Sequence, residues 1–273
     1  MPDKINTAVI AAAGQATRMW PASKAFPKEL FPLGRIPVIV HLLWELRDAG
    51  IEQFVVVTAE SSGPAVRALL DPSVAPPDKV ANEPLVRRFQ EMLTRDSVTI
   101  MRQTGNYGNG TPLRIAASKI KDQPCIYAFG DDIVVGENAT SGLIQTFERT
   151  GHPVLAAQEV PTSRKSAFGI LECTRTNGIQ YISRILEKPL PDETSSNLAS
   201  FGRYLVTPRL LETLCNTPPG RDGELWFTDS IKAYLDHGGR ACAFSLTNGR
   251  WYTVGDPRSY AEAVKAATEE QSR

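Results

Sequence analysis

The chain has 273 residues, 42% of them hydrophobic and 22% charged, with 30 basic residues against 30 acidic ones. That apolar fraction is ample for a core and excludes disorder as the main state, while zero formal net charge argues against a protein that coats nucleic acid. No apolar run approaches the roughly 18 residues of a membrane-crossing helix, and at about 100–200 residues per domain the length suits one large domain or two small ones.

The start of the chain faintly resembles a signal peptide, with Lys4 ahead of Ala8–Ala13. The apolar stretch is short and runs straight into Gly14-Gln15-Ala16-Thr17-Arg18, so Thr7–Ala12 reads as a buried strand and the protein as soluble and cytoplasmic. Residues 37–49 have helical periodicity and end at Gly50, a plausible C′ glycine. A second buried strand follows at Phe54–Thr58. The interval 61–96 is charged and proline-rich, reads as an insertion, and has a helical second half over 83–94. Cys125–Phe129 is a short apolar run that stops at Gly130-Asp131-Asp132, and Val154–Val160 repeats the pattern. Strands separated by helices predict βαβ units and a mainly parallel sheet, with ligands at the carboxyl ends of its strands. Beyond residue 160, strand-like runs at 168–172, 179–186, 201–206 and 241–246 surround a polar loop at 191–200. Helical patterns cover 207–216, 229–236 and 257–271, and the last of these could serve an interface between copies of the chain. The pattern predicts one α/β domain with a substrate-binding elaboration in its C-terminal half. Four cysteines without a CxxC pair and three scattered histidines give no zinc site, so the thiols read as free and buried.

The segment Ala11–Glu29, AAAGQATRMWPASKAFPKE, carries the strongest chemical signal. A buried strand ends at Gly14, and the loop after it presents Arg18, Lys24 and Lys28. Backbone N–H groups at such a turn can cradle phosphate oxygens while basic side chains neutralise them. A plain solvated basic loop has the same composition. The Walker pattern G-x-x-x-x-G-K-[ST] is absent, and Ala16 and Met19 stand where G-x-G-x-x-G needs glycine.

Taken whole, the segment resembles the opening signature of the sugar-1-phosphate nucleotidyltransferases, G-x-G-T-R followed by P-x-[ST]-K and P-K. It is most similar to that of the bacterial UTP–glucose-1-phosphate uridylyltransferases, whose pattern is met from Gly14 through Pro32 except at Ala16. Further matches come in the family's order: Gln103 with Gly108-Asn109-Gly110, Gly130-Asp131-Asp132, Glu187-Lys188-Pro189, Gly202-Arg203-Tyr204, Gly223-Glu224 with Thr228-Asp229, and Gly255-Asp256. The resemblance covers nearly the whole chain. It implies a Rossmann-like, GT-A-like α/β fold, a mainly parallel mixed sheet flanked by helices. It also implies a single domain over residues 1–273, with nucleotide handled by about 1–150 and sugar by about 151–273.

The reaction implied is transfer of a uridylyl group from UTP to glucose 1-phosphate with release of pyrophosphate. Both reactants are anions, so charge neutralisation and in-line positioning carry most of the catalysis. Through the resemblance, Arg18 and Lys28 hold the triphosphate. Ala12, Ala13, Gly14, Gln103 and Gly108 receive the nucleotide. Gly169, Glu187, Lys188 and Gly202 receive the sugar phosphate. Asp131 and Asp256 hold one Mg²⁺, which suits hard oxygen ligands.

Each position has a plainer reading. Asp131 suits an Asp-rich turn, Asp256 a helix N-cap before Pro257, Glu187 a surface ion pair, Gln103 a buried amide, and Gly169 and Gly202 strand bulges. Ala16 is tolerable only with negative φ, and Phe168 stands where tyrosine is common. A homodimer or homotetramer is expected, with no membrane or nucleic-acid partner. The alternatives are a relative using dTTP, another nucleotide or a different sugar 1-phosphate, a non-catalytic nucleotide binder, and a glycosyltransferase.

Overall fold

The computed structural model describes residues 5–120 and 122–271. One nine-stranded sheet runs through both halves of the chain. Its strands in chain order are β1 (Thr7–Ala12), β2 (Gln53–Thr58), β3 (Ser97–Arg102), β4 (Cys125–Phe129), β5 (Val154–Glu159), β6 (Gly169–Thr176), β7 (Ile179–Glu187), β8 (Leu198–Val206) and β9 (Cys242–Ser245). Their spatial order is β3-β2-β1-β4-β8-β5-β9-β7-β6.

The first four strands are all parallel, in the order expected of a doubly wound sheet. From β4 onward the pairings are antiparallel apart from β5 with β9. The parallel sheet read from the sequence therefore belongs to the N-terminal half of the chain. Among the strands that follow, β6 and β7 form a hairpin across a two-residue turn, a connection that only antiparallel strands can have.

Alternation along the parallel strands explains why both faces are covered. Ala8, Ile10 and Ala12 of β1 join Phe54 and Val56 of β2 in a core shared with the Val38–Asp48 helix. Val9, Val55 and Val57 point the other way, into a core with Leu113, Ala116 and Ile120 of the Thr111–Ile120 helix. The Val38–Asp48 helix stops as the sequence predicts: Gly50 N–H donates to the Arg47 carbonyl and Ile51 N–H to the Leu46 carbonyl, a Schellman closure with Gly50 at φ 95°.

A third, smaller core sets the basic loop. Met19, Phe31 and Leu33 pack with Ile133, Val254, Ala263 and Ala267. The apolar face of the Pro257–Gln271 helix is thus engaged within the chain, and the Tyr260 hydroxyl donates to the Pro32 carbonyl at 2.8 Å.

Several elements differ from the sequence reading. The edge strand β3 starts directly after the 61–96 insertion, in residues 97–102 to which the sequence reading gives no element. The Ala139–Thr150 helix is absent from the sequence reading, and Gly142 stands in its first turn because the Phe244 ring occupies the space of a side chain. The polar loop 191–200 ends early, since Leu198–Ser200 already pair with β5 and β6.

Candidate active site

Between β1 and β4 the order of parallel strands reverses, and ligands in such sheets sit at the carboxyl ends of the strands on either side of that point. Here those ends are Ala12-Ala13-Gly14 and Gly130-Asp131, stitched together by the Gly130 N–H bond to the Ala11 carbonyl at 2.9 Å. Lys28 reaches into the same space from a short 3₁₀ turn, and its Nζ lies 2.5 Å from Asp131 Oδ2. A Cβ on Gly14 would come within 3.0 Å of that Nζ, so the bare backbone of Gly14 faces the lysine.

The neighbourhood is strongly acidic and dry. Glu29 is 1% exposed and Asp132 is 4% exposed. Burial, helped by the charge of Asp131, pushes the Glu29 carboxyl up to about 7 against the pull of Lys28. The same causes raise Asp132, with Arg203 opposing them. Burial works against the Lys28 ammonium, but Asp131, Glu29 and Asp132 outweigh it and hold the group above its ordinary value.

Asp256 is brought to this point by a strand pair that the sequence reading missed, Asp132–Val135 with Arg250–Thr253. Val254 N–H donates to the Asp131 carbonyl at 2.9 Å, and a Cβ on Gly255 would stand 3.8 Å from Asp131 Oδ2. The Asp256 carboxylate also caps the last helix, accepting from Ser259 N–H at 2.9 Å and the Ser259 hydroxyl at 2.8 Å. Those bonds hold it below the usual carboxylate range despite partial burial. The cap and a metal role are compatible, because a carboxylate has about four lone-pair sites.

Arg18 is exposed on the Thr17–Met19 turn of the basic loop, whose Met19 is buried in the third core. Ala16 precedes it with φ 49° and ψ 40°, so the negative φ expected from the sequence is not what the chain adopts. The Ala16 carbonyl accepts from Met19 N–H and from the Ser23 hydroxyl, both at 2.9 Å, and these bonds hold the left-handed turn.

Gln103 follows β3, its N–H donating to the Thr58 carbonyl at 2.8 Å. The loop after it is zipped to residues 223–227. Asn106 Nδ2 donates to the Gly223 carbonyl, Leu225 N–H to the Tyr107 carbonyl, and Phe227 N–H to Asn109 Oδ1. Gly108 has φ 126°, and any side chain there would overlap the backbone of Leu225, so this zipper demands its glycine.

On the other side, Glu187 ends β7 directly opposite Gly169. A Cβ on Gly169 would lie 3.4 Å from Glu187 Oε2 and 3.3 Å from the Thr228 methyl. Burial raises the Glu187 carboxyl, with Lys188 among the groups opposing it. Lys188 Nζ is 3.9 Å from Glu187 Oε1 and 4.5 Å from the centre of the Trp226 ring.

Gly202 has a different occupation from its neighbours. The Phe129 ring fills the space of its absent side chain, and its N–H donates to Asp132 Oδ2 at 3.0 Å. It sits where the β8–β5 register shifts, the bulge that the plainer sequence reading allows. Next to it, Arg203 is completely buried. Its guanidinium meets both oxygens of Glu45 at 3.0–3.1 Å and donates to the carbonyls of Asp132 and Gly202.

The structure thus gathers Gly14, Lys28, Asp131 and the Gly255-Asp256 turn at the switch point, and Gly169, Glu187 and Lys188 at the ends of β6 and β7. Sequence reasoning passed over Glu29, Glu45, Asp132, Arg203 and Trp226. The Asp131-Asp132 doublet and the Arg203 between Gly202 and Tyr204 were the visible signals for two of them.

Compared with known proteins, residues 7–270 match the Nucleotidyl transferase family model. The chain belongs to this family. This nucleotidyl transferase is 31% identical over 266 residues to the UTP–glucose-1-phosphate uridylyltransferase of Staphylococcus epidermidis, spanning 96% of this chain and 91% of the relative. It is 31% identical over 269 residues to UTP–glucose-1-phosphate uridylyltransferase 2 of Staphylococcus saprophyticus, with the same coverage. Among solved structures, a UDP-glucose pyrophosphorylase complexed with UDP-glucose superposes with a TM-score of 0.89 at 25% identity, covering 97% of this chain and 99% of that one. A UTP-bound enzyme from Acinetobacter baumannii gives 0.80 at 25% identity over 98% of both chains. The α/β fold, a mixed sheet flanked by helices, is that of the UDP-glucose pyrophosphorylases, so the family expected from the motifs and the family found agree.

Proposed function

We propose that this nucleotidyl transferase is a UTP:glucose-1-phosphate uridylyltransferase, forming UDP-glucose and pyrophosphate. The observation that carries the reading is the Lys28–Asp131 pair at the switch point, facing the bare backbone of Gly14. The identity of the substrates rests on the relatives named for that reaction.

In this reading UTP enters at the carboxyl ends of β1 to β4. Its base meets Ala12, Ala13, Gln103 and the Gly108 loop, and Arg18 and Lys28 neutralise its phosphates. Glucose 1-phosphate lies toward β6 and β7, with Glu187 accepting bonds from sugar hydroxyls and Lys188 holding the sugar phosphate. Gly169 leaves room for the sugar, and Gly202 belongs to this part through its hold on Asp132. The phosphate oxygen then attacks the α-phosphorus in line, and the chain's contribution is orientation and charge compensation. The division between nucleotide handling by about 1–150 and sugar handling by about 151–273 is part of this proposal, as are a cytoplasmic location and a homodimer or homotetramer.

A Mg²⁺ fits the donors at the switch point. Asp131 already takes a cation, the Lys28 ammonium, on Oδ2. A Mg²⁺ ion generally uses one or two carboxylates together with waters and substrate phosphates. Asp131 and Asp256 would hold it, and when bound it would neutralise charge on the phosphates.

The test is pyrophosphate release with ATP, CTP, GTP, UTP and dTTP, each paired with glucose 1-phosphate and Mg²⁺. A signal dominated by UTP is expected. A signal dominated by dTTP would move the assignment to a thymidylyltransferase, and silence with every nucleotide and a range of hexose 1-phosphates would overturn it.

A further inference from the structure

Lys188 is held in an unusual way. It follows the last residue of β7 and precedes Pro189, a position where the backbone ordinarily stays extended. Instead it adopts φ 47°, with its N–H donating to the Phe168 carbonyl at 3.0 Å. A left-handed lysine is costly, and such outliers persist only where the surroundings fix them. Here the side chain lies over the face of Trp226, with Nζ 4.5 Å from the ring centre. Its nearest carboxylate oxygen, Glu187 Oε1, is 3.9 Å away, at the outer limit of an ion pair, and the lysine side chain stays 46% exposed.

The backbone that carries the ring is well anchored. Trp226 lies between two buried residues whose N–H groups are both tied to the 107–109 loop, Leu225 to the Tyr107 carbonyl at 2.8 Å and Phe227 to Asn109 Oδ1 at 2.7 Å. An indole face attracts an ammonium through its quadrupole yet carries no net charge. It can therefore orient the cation without neutralising it, which a carboxylate at hydrogen-bond distance would do.

We propose that Trp226 is a positioning residue for Lys188, holding the ammonium open toward an incoming sugar phosphate by a cation–π contact. The inference rests on the assignment of Lys188 to the sugar phosphate made above. Trp226 acts through Lys188 and not by touching the sugar, and this makes the two side chains energetically inseparable.

A double-mutant cycle tests this on the full chain with Trp226→Leu, Lys188→Ala and the two combined, plus Trp226→Phe. The readouts are KM for glucose 1-phosphate, KM for UTP, kcat, and the Kd for UDP-glucose by calorimetry, which needs no turnover. Trp226→Leu should raise KM for glucose 1-phosphate roughly 3- to 30-fold, the range of a partly desolvated cation–π contact, and leave KM for UTP within about twofold. Trp226→Phe, which keeps an aromatic face with a weaker quadrupole, should lose less; it also serves if the leucine variant does not fold. In the Lys188→Ala background, Trp226→Leu should add nothing. An unchanged KM for glucose 1-phosphate and Kd for UDP-glucose in both Trp226 variants would overturn the inference, and so would a full effect that survives in Lys188→Ala. If Lys188→Ala itself left both constants unchanged, the assignment of Lys188 would fail and the inference with it. Lack of turnover with every nucleotide together with no binding of UDP-glucose would instead remove the proposed function.

Discussion

The two lysines assigned to phosphate groups are held in opposite ways. Lys28 is 14% exposed, lies 2.5 Å from Asp131 and is surrounded by further carboxylates at Glu29 and Asp132. Lys188 is 46% exposed, 3.9 Å from its nearest carboxylate oxygen, and rests on an aromatic face. The first is already neutralised by the protein, so a triphosphate arriving there competes with an ion pair unless a cation takes the place of the ammonium at Asp131. The second offers a nearly unspent positive charge. The difference follows from the fold: Lys28 is clamped between strand ends of the parallel half, and Lys188 sits at the rim of the antiparallel half, where loops leave the head group in water.

The joint between those halves is the place to break the contrast outright. Arg203 lies on β8, in the antiparallel half, and its guanidinium pairs with Glu45 of the Val38–Asp48 helix while bonding the Asp132 carbonyl. Arg203→Met would leave the Glu45 carboxylate, 9% exposed, without its counter-charge. Removing one partner of a buried pair typically costs about 3–5 kcal/mol, and urea unfolding should show a loss of that size. The double variant Glu45→Met with Arg203→Met should be less destabilised than Arg203→Met alone, since no buried charge is then left unpaired. A double variant as unstable as the single one would show that the bonds to the Asp132 and Gly202 carbonyls, and not the ion pair, make the joint.

Asp131→Asn attacks the clamped side alone. It removes the charge that Lys28 and any bound metal share, while the Asp131 carbonyl bond to Val254 N–H remains. The expected result is a fall in kcat of about 10²–10³-fold or more, the scale of losing one strong electrostatic stabiliser, with a thermal midpoint close to the parent's. Full turnover in this variant would overturn the proposed metal role of Asp131.

Much of this arrangement was legible because it rests on local rules. β1 and β4 stood out as uninterrupted apolar runs that stop at glycine, and the Gly50 stop followed from helix-ending chemistry. The missing pieces depend on distant partners. Asp132–Val135 and Arg250–Thr253 are four-residue strands that pair across more than a hundred residues, and no local pattern announces their register. The Ala139–Thr150 helix could have been found from its ends, because Asn138 caps it and Gly151 closes it, but Gly142 inside it reads as a breaker until Phe244 is in place. In the site, lysines and aspartates were visible as charges beside glycines. Their differing environments were not, since burial of Glu29 or the ring beneath Lys188 exists only once the chain has folded.

Backbone strain offers the finest version of the comparison, because each side of the site carries a left-handed residue that is not glycine, Ala16 on one and Lys188 on the other. At Lys188 the side chain is required, so the strain cannot be relieved without losing the group. At Ala16 only a methyl stands in the way. Ala16→Gly removes the Cβ clash of the left-handed turn, while glycine's greater freedom in the unfolded chain and the loss of a partly buried methyl at the edge of the third core offset part of the gain. The balance should be a stabilisation of about 0.5–1 kcal/mol in urea unfolding, with the m-value unchanged. A loss of stability would mean that the methyl's packing beside Met19 outweighs the strain, and that the basic loop is held chiefly by its apolar anchors rather than by the hydrogen bonds at the Ala16 carbonyl.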